Sequence, residues 1–167
     1  MSSYCTLAEV RAYKKIGAAQ TGDDALITDL IPQASQRIDS YCLRTFTVRT
    51  AETRKFDAVL DVDGDTLYLD DDLQSITTLT NGDGTAITSS NYVLLPANRT
   101  PKYAIKLKAS SSVSWTYNTD PEEAITVVGN WGYNNTTEPP EDIKHAAIRL
   151  TAWYYDLPAA PYETTGM

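Results

Sequence analysis

The chain has 167 residues, of which 42% are hydrophobic and 22% charged, with a net charge of −8. A chain of this length suits a single domain, residues 1–167, that buries about 70% of its unfolded surface, so neither a disulfide nor a metal is needed to hold a core. The acid excess disfavours tight binding to DNA phosphates, which takes clustered Lys and Arg, although an acidic wall can still let DNA slide past. No stretch approaches the ~20 apolar residues of a membrane span, so no membrane partner is expected. The N-terminus, MSSYCTLAEVRAYKK, shows no basic region followed by an apolar core, and no secretory signal is read there. Cys5 and Cys42 are therefore expected as free thiols, with Cys42 as core filler.

Thr6 opens a first helix, and Glu9 three residues later completes a capping box. The helix is predicted to run to about Ile16, with Leu7, Val10 and Tyr13 inward. A second helix starts near Asp23 or Asp24, whose charges suit its N-terminal dipole. Its predicted inward stripe is Leu26, Ile27, Leu30, Ile31, Ala34, Ile38 and Tyr41. Pro32 lies within this pattern. It projects to the polar side, where water can satisfy the freed carbonyl, so the sequence predicts one bent helix to about Leu43, with two shorter helices as the alternative.

From Thr47 to Tyr133 the period changes to two. Phe56 is predicted to start the first strand region, and Thr66–Leu69 alternates until Asp70-Asp71-Asp72 interrupts it. Ile76–Thr80 and Ala86–Thr88 flank Asn81-Gly82-Asp83-Gly84, a hairpin turn by composition. Tyr92–Leu95, Tyr103–Leu107, Val113–Tyr117 and Ala124–Val128 complete six or seven short strands, a compact sheet or sandwich. Pro139-Pro140 ends this section, and Pro140 is suited to the first position of a last helix running to about Tyr155. The fold class is α+β: a small helical bundle over residues 5–45 and 139–157, with an antiparallel β section at 47–133 inserted between its second and third helices. Residues 158–167 have little to bury and are expected to form a flexible tail.

A search for chemistry identifies no catalytic residue and no cofactor site. His145, the one histidine, lies mid-helix beside Lys144, and no serine sits in a G-x-S-x-G elbow. No phosphate-cradling glycine loop is present. Asp61, Asp63, Asp65 and Asp72 fit positions 1, 3, 5 and 12 of a calcium loop, but the glycine falls at position 4 rather than 6 and the last ligand is Asp rather than Glu. The segment reads as a solvated turn, with a weak cation site as the lesser alternative.

The last helix is apolar on more than one side. With Ile143 as zero angle, Ala147, Leu150 and Tyr154 fall within about 40° and Ala146 and Trp153 within about 80°, a core seam. Ile148, Ala152 and Tyr155 form a second shoulder, expected to contact a neighbouring subunit or the β section. Eleven tyrosines and three tryptophans add residues favoured at protein–protein contacts.

TLAEVRAY at 6–13, DDALITDLIPQASQRIDSYCLRTF at 23–46, ITVVGNWGY at 125–133 and PPEDIKHAAIRLTAWYY at 139–155 together resemble the head–tail connector (adaptor, or head completion) proteins of long-tailed double-stranded DNA bacteriophages. Those motifs cover the helical shell and the last strand; the rest of the β section is similar in kind only. The resemblance implies a non-enzymatic virion protein at the head–tail junction, present in the host cytoplasm during assembly. It also implies a ring of about twelve copies that contacts the portal protein and a tail or stopper protein and extends the DNA channel, where contact with DNA is passive. Two other classes compete: a β module that binds carbohydrate through exposed Trp or Tyr, which does not account for helices at both ends, and a hydrolase using scattered acids, for which no constellation exists.

Overall fold

The computed structural model describes residues 3–157; the expected tail at 158–167 lies outside the described residues. The fold is α+β. Two helices, α1 (Leu7–Lys14) and α2 (Asp24–Cys42), precede six strands: β1 (Arg49–Phe56), β2 (Val62–Asp63), β3 (Thr66–Thr80), β4 (Tyr92–Leu95), β5 (Lys102–Leu107) and β6 (Ile125–Trp131). A third helix, α3 (Glu141–Asp156), follows them. The chain forms two compact units, one of Met1–Leu43 with Glu138–Met167 and one of Arg44–Thr137.

In the helical unit the Thr6 hydroxyl accepts from the Glu9 N–H, while the Glu9 carboxylate accepts from the Thr6 N–H at 2.8 Å. Losing such a cap typically costs about 1 kcal/mol. Lys144 of α3 lies 3.3 Å from Glu9, so the cap of α1 is also an ion pair to α3. Within α1 only Val10 is buried; Tyr13, expected inward, is exposed and meets the edge of His145 at 6.3 Å. The helix is only eight residues long and turns one narrow face to its neighbours, which leaves Tyr13 at the margin. The second helix continues through Pro32 as one element. Ile27, Ile31, Ala34 and Ser35 form its buried stripe, whereas Leu26 and Tyr41 at its two ends are exposed. Tyr4 joins this unit by donating its backbone N–H to Ser35 Oγ at 3.0 Å and pairing its hydroxyl with Asp39. Both cysteines are free, and Cys42 is exposed at the end of α2 rather than buried in a core.

The β unit is one antiparallel sheet in the order β1-β6-β3-β5-β4, with β2 as a short hairpin partner of β3. Strand β6 alternates buried and half-buried residues, so Ile125, Val127 and Trp131 enter the core with Leu67, Leu73, Leu79, Ile105 and Leu107. Four expectations for the strands are corrected. Phe56 ends the first strand instead of starting it, because the preceding residues pair in register with β6. The acidic run does not interrupt β3, which is continuous from Thr66 to Thr80. Arginines neutralise the run: Arg54 donates to Asp70 and Asp71 at 2.8 Å each, Arg49 pairs with Asp71, and Arg44 lies 3.6 Å from Asp72. Ala86–Thr88 forms only an isolated bridge, Ala86 to Thr80, and Val113–Tyr117 forms no strand. The Asn81 amide takes the place of a ladder there, donating to the Ser114 carbonyl at 2.9 Å and accepting from the Thr116 N–H at 3.2 Å.

Two carboxylates respond to pH in opposite senses. Burial alone would raise the Glu9 carboxyl, but the Thr6 N–H, the Thr6 hydroxyl and Lys144 outweigh it and hold Glu9 below its ordinary value. A lowered pKa means stability that is present above the ordinary Glu value of about 4.3 and lost as pH falls. Glu9→Gln should therefore lower the melting temperature most at neutral pH, and the difference from wild type should close as pH falls below about 4. Asp72 is raised, chiefly by burial and also by Asp71, against the opposing pull of Arg44. Its Oδ2 has only that long ion pair and no hydrogen bond. A raised carboxyl pKa favours the protonated folded state, so this contribution is fully present below the ordinary Asp value and lost as pH rises. Asp72→Asn should raise the melting temperature at pH 7, with the gain vanishing at acid pH; a lower melting temperature at pH 7 would contradict the assignment.

Candidate interaction surfaces

The α3 helix has two apolar faces, but their roles differ from the projected ones. The buried residues are Ala147, Thr151 and Ala152. This arc is rotated by about 90° from the predicted seam. Two helices cause the rotation, because α3 packs against both α1 and α2, and its buried arc lies between them. On the α1 side, Cys5 Sγ lies 3.9 Å from Thr151 Oγ1, Lys144 meets Glu9, and Lys14 donates to Asp156 at 2.5 Å. On the α2 side, the Tyr155 hydroxyl donates to Asp23 at 2.6 Å. The shoulder residues thus fall within the arc used by the helical unit itself: Ala152 is buried, and Ile148 and Tyr155 are half-buried. Ala146 and Trp153, projected into the core seam, are exposed instead.

The exposed apolar surface of the helical unit lies beside that arc, where α2 and α3 meet. Ile38, Tyr41 and Cys42 of α2 and Ile143, Ala146 and Leu150 of α3 line a groove of about 280 Å³, with Arg37 at its border. Tyr41 is 84% exposed, and Leu43, just past the helix end, is 89% exposed. Leu43 adopts φ 53°, a left-handed value that a leucine rarely takes, and closes α2 through its N–H to the Asp39 carbonyl. Large apolar side chains clustered at a helix end make this a candidate contact surface. Sequence periodicity missed it because Ile38 and Tyr41 share the helical phase of the buried stripe; the cluster Tyr41-Cys42-Leu43, with no polar residue between, is the local signal.

The β unit presents a second exposed apolar feature. In the turn between β1 and β2, Asp57 Oδ1 accepts from the N–H groups of Val59 and Leu60 at 2.7 and 2.8 Å, and Asp61 Oδ2 accepts from the Asp57 N–H at 2.8 Å. Ala58 is buried, and its N–H donates to the Pro121 carbonyl at 2.9 Å. The turn is thereby fixed at its base while Val59 and Leu60 point outward, 53% and 85% exposed.

The candidate cation ligands are not brought together. Asp61 is engaged by the turn, Asp63 pairs with Thr66 in the β2–β3 hairpin, and Asp72 faces Arg44. Among the described residues no group of three His, Cys, Asp or Glu side chains is placed to hold a metal ion. His145 is exposed on α3 beside Tyr13, with no nucleophile among its described partners. The aromatics divide between core and surface, with Tyr68, Tyr103, Tyr117 and Tyr133 of the β unit exposed. Trp131 is buried beneath the Arg54 guanidinium at 4.8 Å and donates its indole N–H to the Glu52 carbonyl, and Trp115 is half-buried. The exposed tryptophan, Trp153, belongs to α3. Among the described residues no helix is long and apolar enough to cross a membrane.

No protein-family model and no curated protein sequence matches this chain. Solved structures share its fold. One is a chain from the neck of an empty gene transfer agent particle computed with C6 symmetry: 18% identity, 91% of this chain and 77% of that chain covered, TM-score 0.56. Another is a chain from the virion of a native gene transfer agent particle: 19% identity, 92% and 79% covered, TM-score 0.51. At these identities the likeness is one of fold, and it spans both the helical elements and the sheet.

Proposed function

We propose that this chain is a structural protein of the neck of a tailed, DNA-filled particle, forming a ring that joins the portal to the tail and extends the DNA channel. The observation that carries this reading is the fold shared with a chain in a gene transfer agent neck over 91% of the present sequence. The motifs of the helical shell and last strand point the same way. A ring needs heterologous contacts, one patch meeting a different patch on the next copy. The exposed groove of the helical unit and the outward Val59-Leu60 turn supply two such patches on one chain. Ile148 and Tyr155, half-buried on the side of α3 away from this groove, are proposed as a separate, smaller subunit contact, with Ala152 beneath them.

The net charge of −8 suits a channel wall that repels DNA and does not grip it. The proposed role is non-enzymatic. Its partners are further copies of this chain, the portal and a tail or stopper protein, and its site is the head–tail junction of the virion after assembly in the host cytoplasm. We set the ring at about twelve copies on the family resemblance; the sixfold symmetry of the gene transfer agent neck is compatible with that number.

Native mass spectrometry and negative-stain microscopy of the purified protein, alone and mixed with the portal of its particle, test this reading. Closed rings of about twelve copies are expected, at least on the portal. A protein that stays monomeric at high concentration and does not bind the portal would overturn it.

A further inference from the structure

Two features of this chain are individually costly and mutually complementary. The groove between α2 and α3 is lined almost wholly by apolar side chains and is large enough for a leucine and a valine together. The turn at 57–61 holds a leucine and a valine out in water on a base fixed by two carboxylates. A flexible loop could fold such residues away; this one is hydrogen-bonded so that it does not.

Charge is matched as well. Arg37 borders the groove. Asp57 and Asp61 flank Val59 and Leu60, and Asp63 and Asp65 follow on the adjoining hairpin. Opposite charges at the rim of an apolar contact steer approach and fix register.

We propose that the Val59-Leu60 turn of one copy seats in the α2–α3 groove of the next, with Arg37 facing the acidic flank of the turn. This rests on the ring reading above and names the contact that builds the ring. Groove and turn are different patches, so the contact is heterologous and propagates from copy to copy instead of stopping at a dimer. One knob in one groove covers far less than the roughly 1,200–2,000 Å² of a stable interface, so the contact alone is weak and acts through repetition around a ring or on a template.

Exposed Cys42 at the groove provides a direct test with an introduced thiol. Leu60→Cys alters a side chain that is 85% exposed, so folding should be undisturbed. Mild oxidation, or a short bismaleimide that tolerates a longer gap, should give a ladder of covalent dimers, trimers and higher species. Cys42→Ser in the same background should reduce the ladder to dimers joined through the introduced thiol. Leu60→Asp should raise the concentration needed for assembly by at least about tenfold, and Arg37→Glu should weaken assembly most at low salt.

Rings by microscopy without any Cys42-dependent product would overturn this contact and leave the neck reading standing. Protection of Cys42 from alkylation in rings that lack the cross-link would assign the groove to another occupant, such as the portal or residues 158–167, and would equally overturn it. Absence of both cross-link and assembly, with and without the portal, would overturn the contact and the ring together.

Discussion

The pairing of β1 with β6 is the constraint on which the rest of the structure depends. These are the first and last strands of the β unit, and their antiparallel register, from Arg49 opposite Trp131 to Phe56 opposite Ile125, brings its two chain ends side by side. The closure continues past the strands: Tyr133 donates its N–H to the Thr45 carbonyl at 2.8 Å, and Val48 donates to the Thr136 carbonyl at 2.9 Å. A β section whose ends meet can be inserted between two helices without drawing them apart, which is how α2 and α3 belong to one compact unit although 98 residues separate them in sequence. Two glycines let the chain at β6 approach its neighbours closely, Gly132 on the β1 side and Gly129 on the β3 side. A Cβ at Gly132, whose φ is 125°, would lie 2.2 Å from the Thr47 carbonyl oxygen, and one at Gly129 would lie 2.2 Å from that of Ser75. Both obstacles are backbone, so no side-chain adjustment relieves them.

The same junction organises the charges. Trp131 closes the strand pair, stacking near Phe56 and lying under Arg54, and Arg54 in turn reaches Asp70 and Asp71 on β3. Three consecutive aspartates in a strand would repel one another in isolation; here their cost is offset by arginines from the chain entering the sheet. Individually such partly exposed pairs contribute little, but a network anchored on a buried indole also fixes register.

Much of this was legible in the sequence. The capping box at Thr6 and Glu9, the run of α2 through Pro32, the alternation of β6 and the start of α3 after Pro140 all depend on local chemistry, and the structure has them, with β6 running three residues past the expected Val128 to Trp131. The strand expected at Val113–Tyr117 does not form because a side chain, Asn81, supplies the bonds a ladder would supply, and no periodicity encodes that. The continuity of β3 was missed because arginines 16 to 28 residues away in the chain neutralise its aspartates. On α3 the projection found two apolar faces but could not say which one two neighbouring helices would cover. A helical wheel gives relative angles; the number and position of packing partners set which angle is inward. The exposed groove at Ile38, Tyr41 and Leu150 was hidden for the same reason, since its residues continue the phase of the buried stripe.

The central claim is that this fold serves as a ring in the neck of a tailed particle, with the sheet and helices arranged as separate patches for successive copies. Cryo-electron microscopy of the particle that carries this chain, focused on the head–tail junction, tests that claim most directly. The account predicts density for this α+β fold repeated in a closed ring between portal and tail, with an open axial channel. Neck density built entirely from other chains, with this protein located elsewhere in the particle or absent from it, would contradict the account.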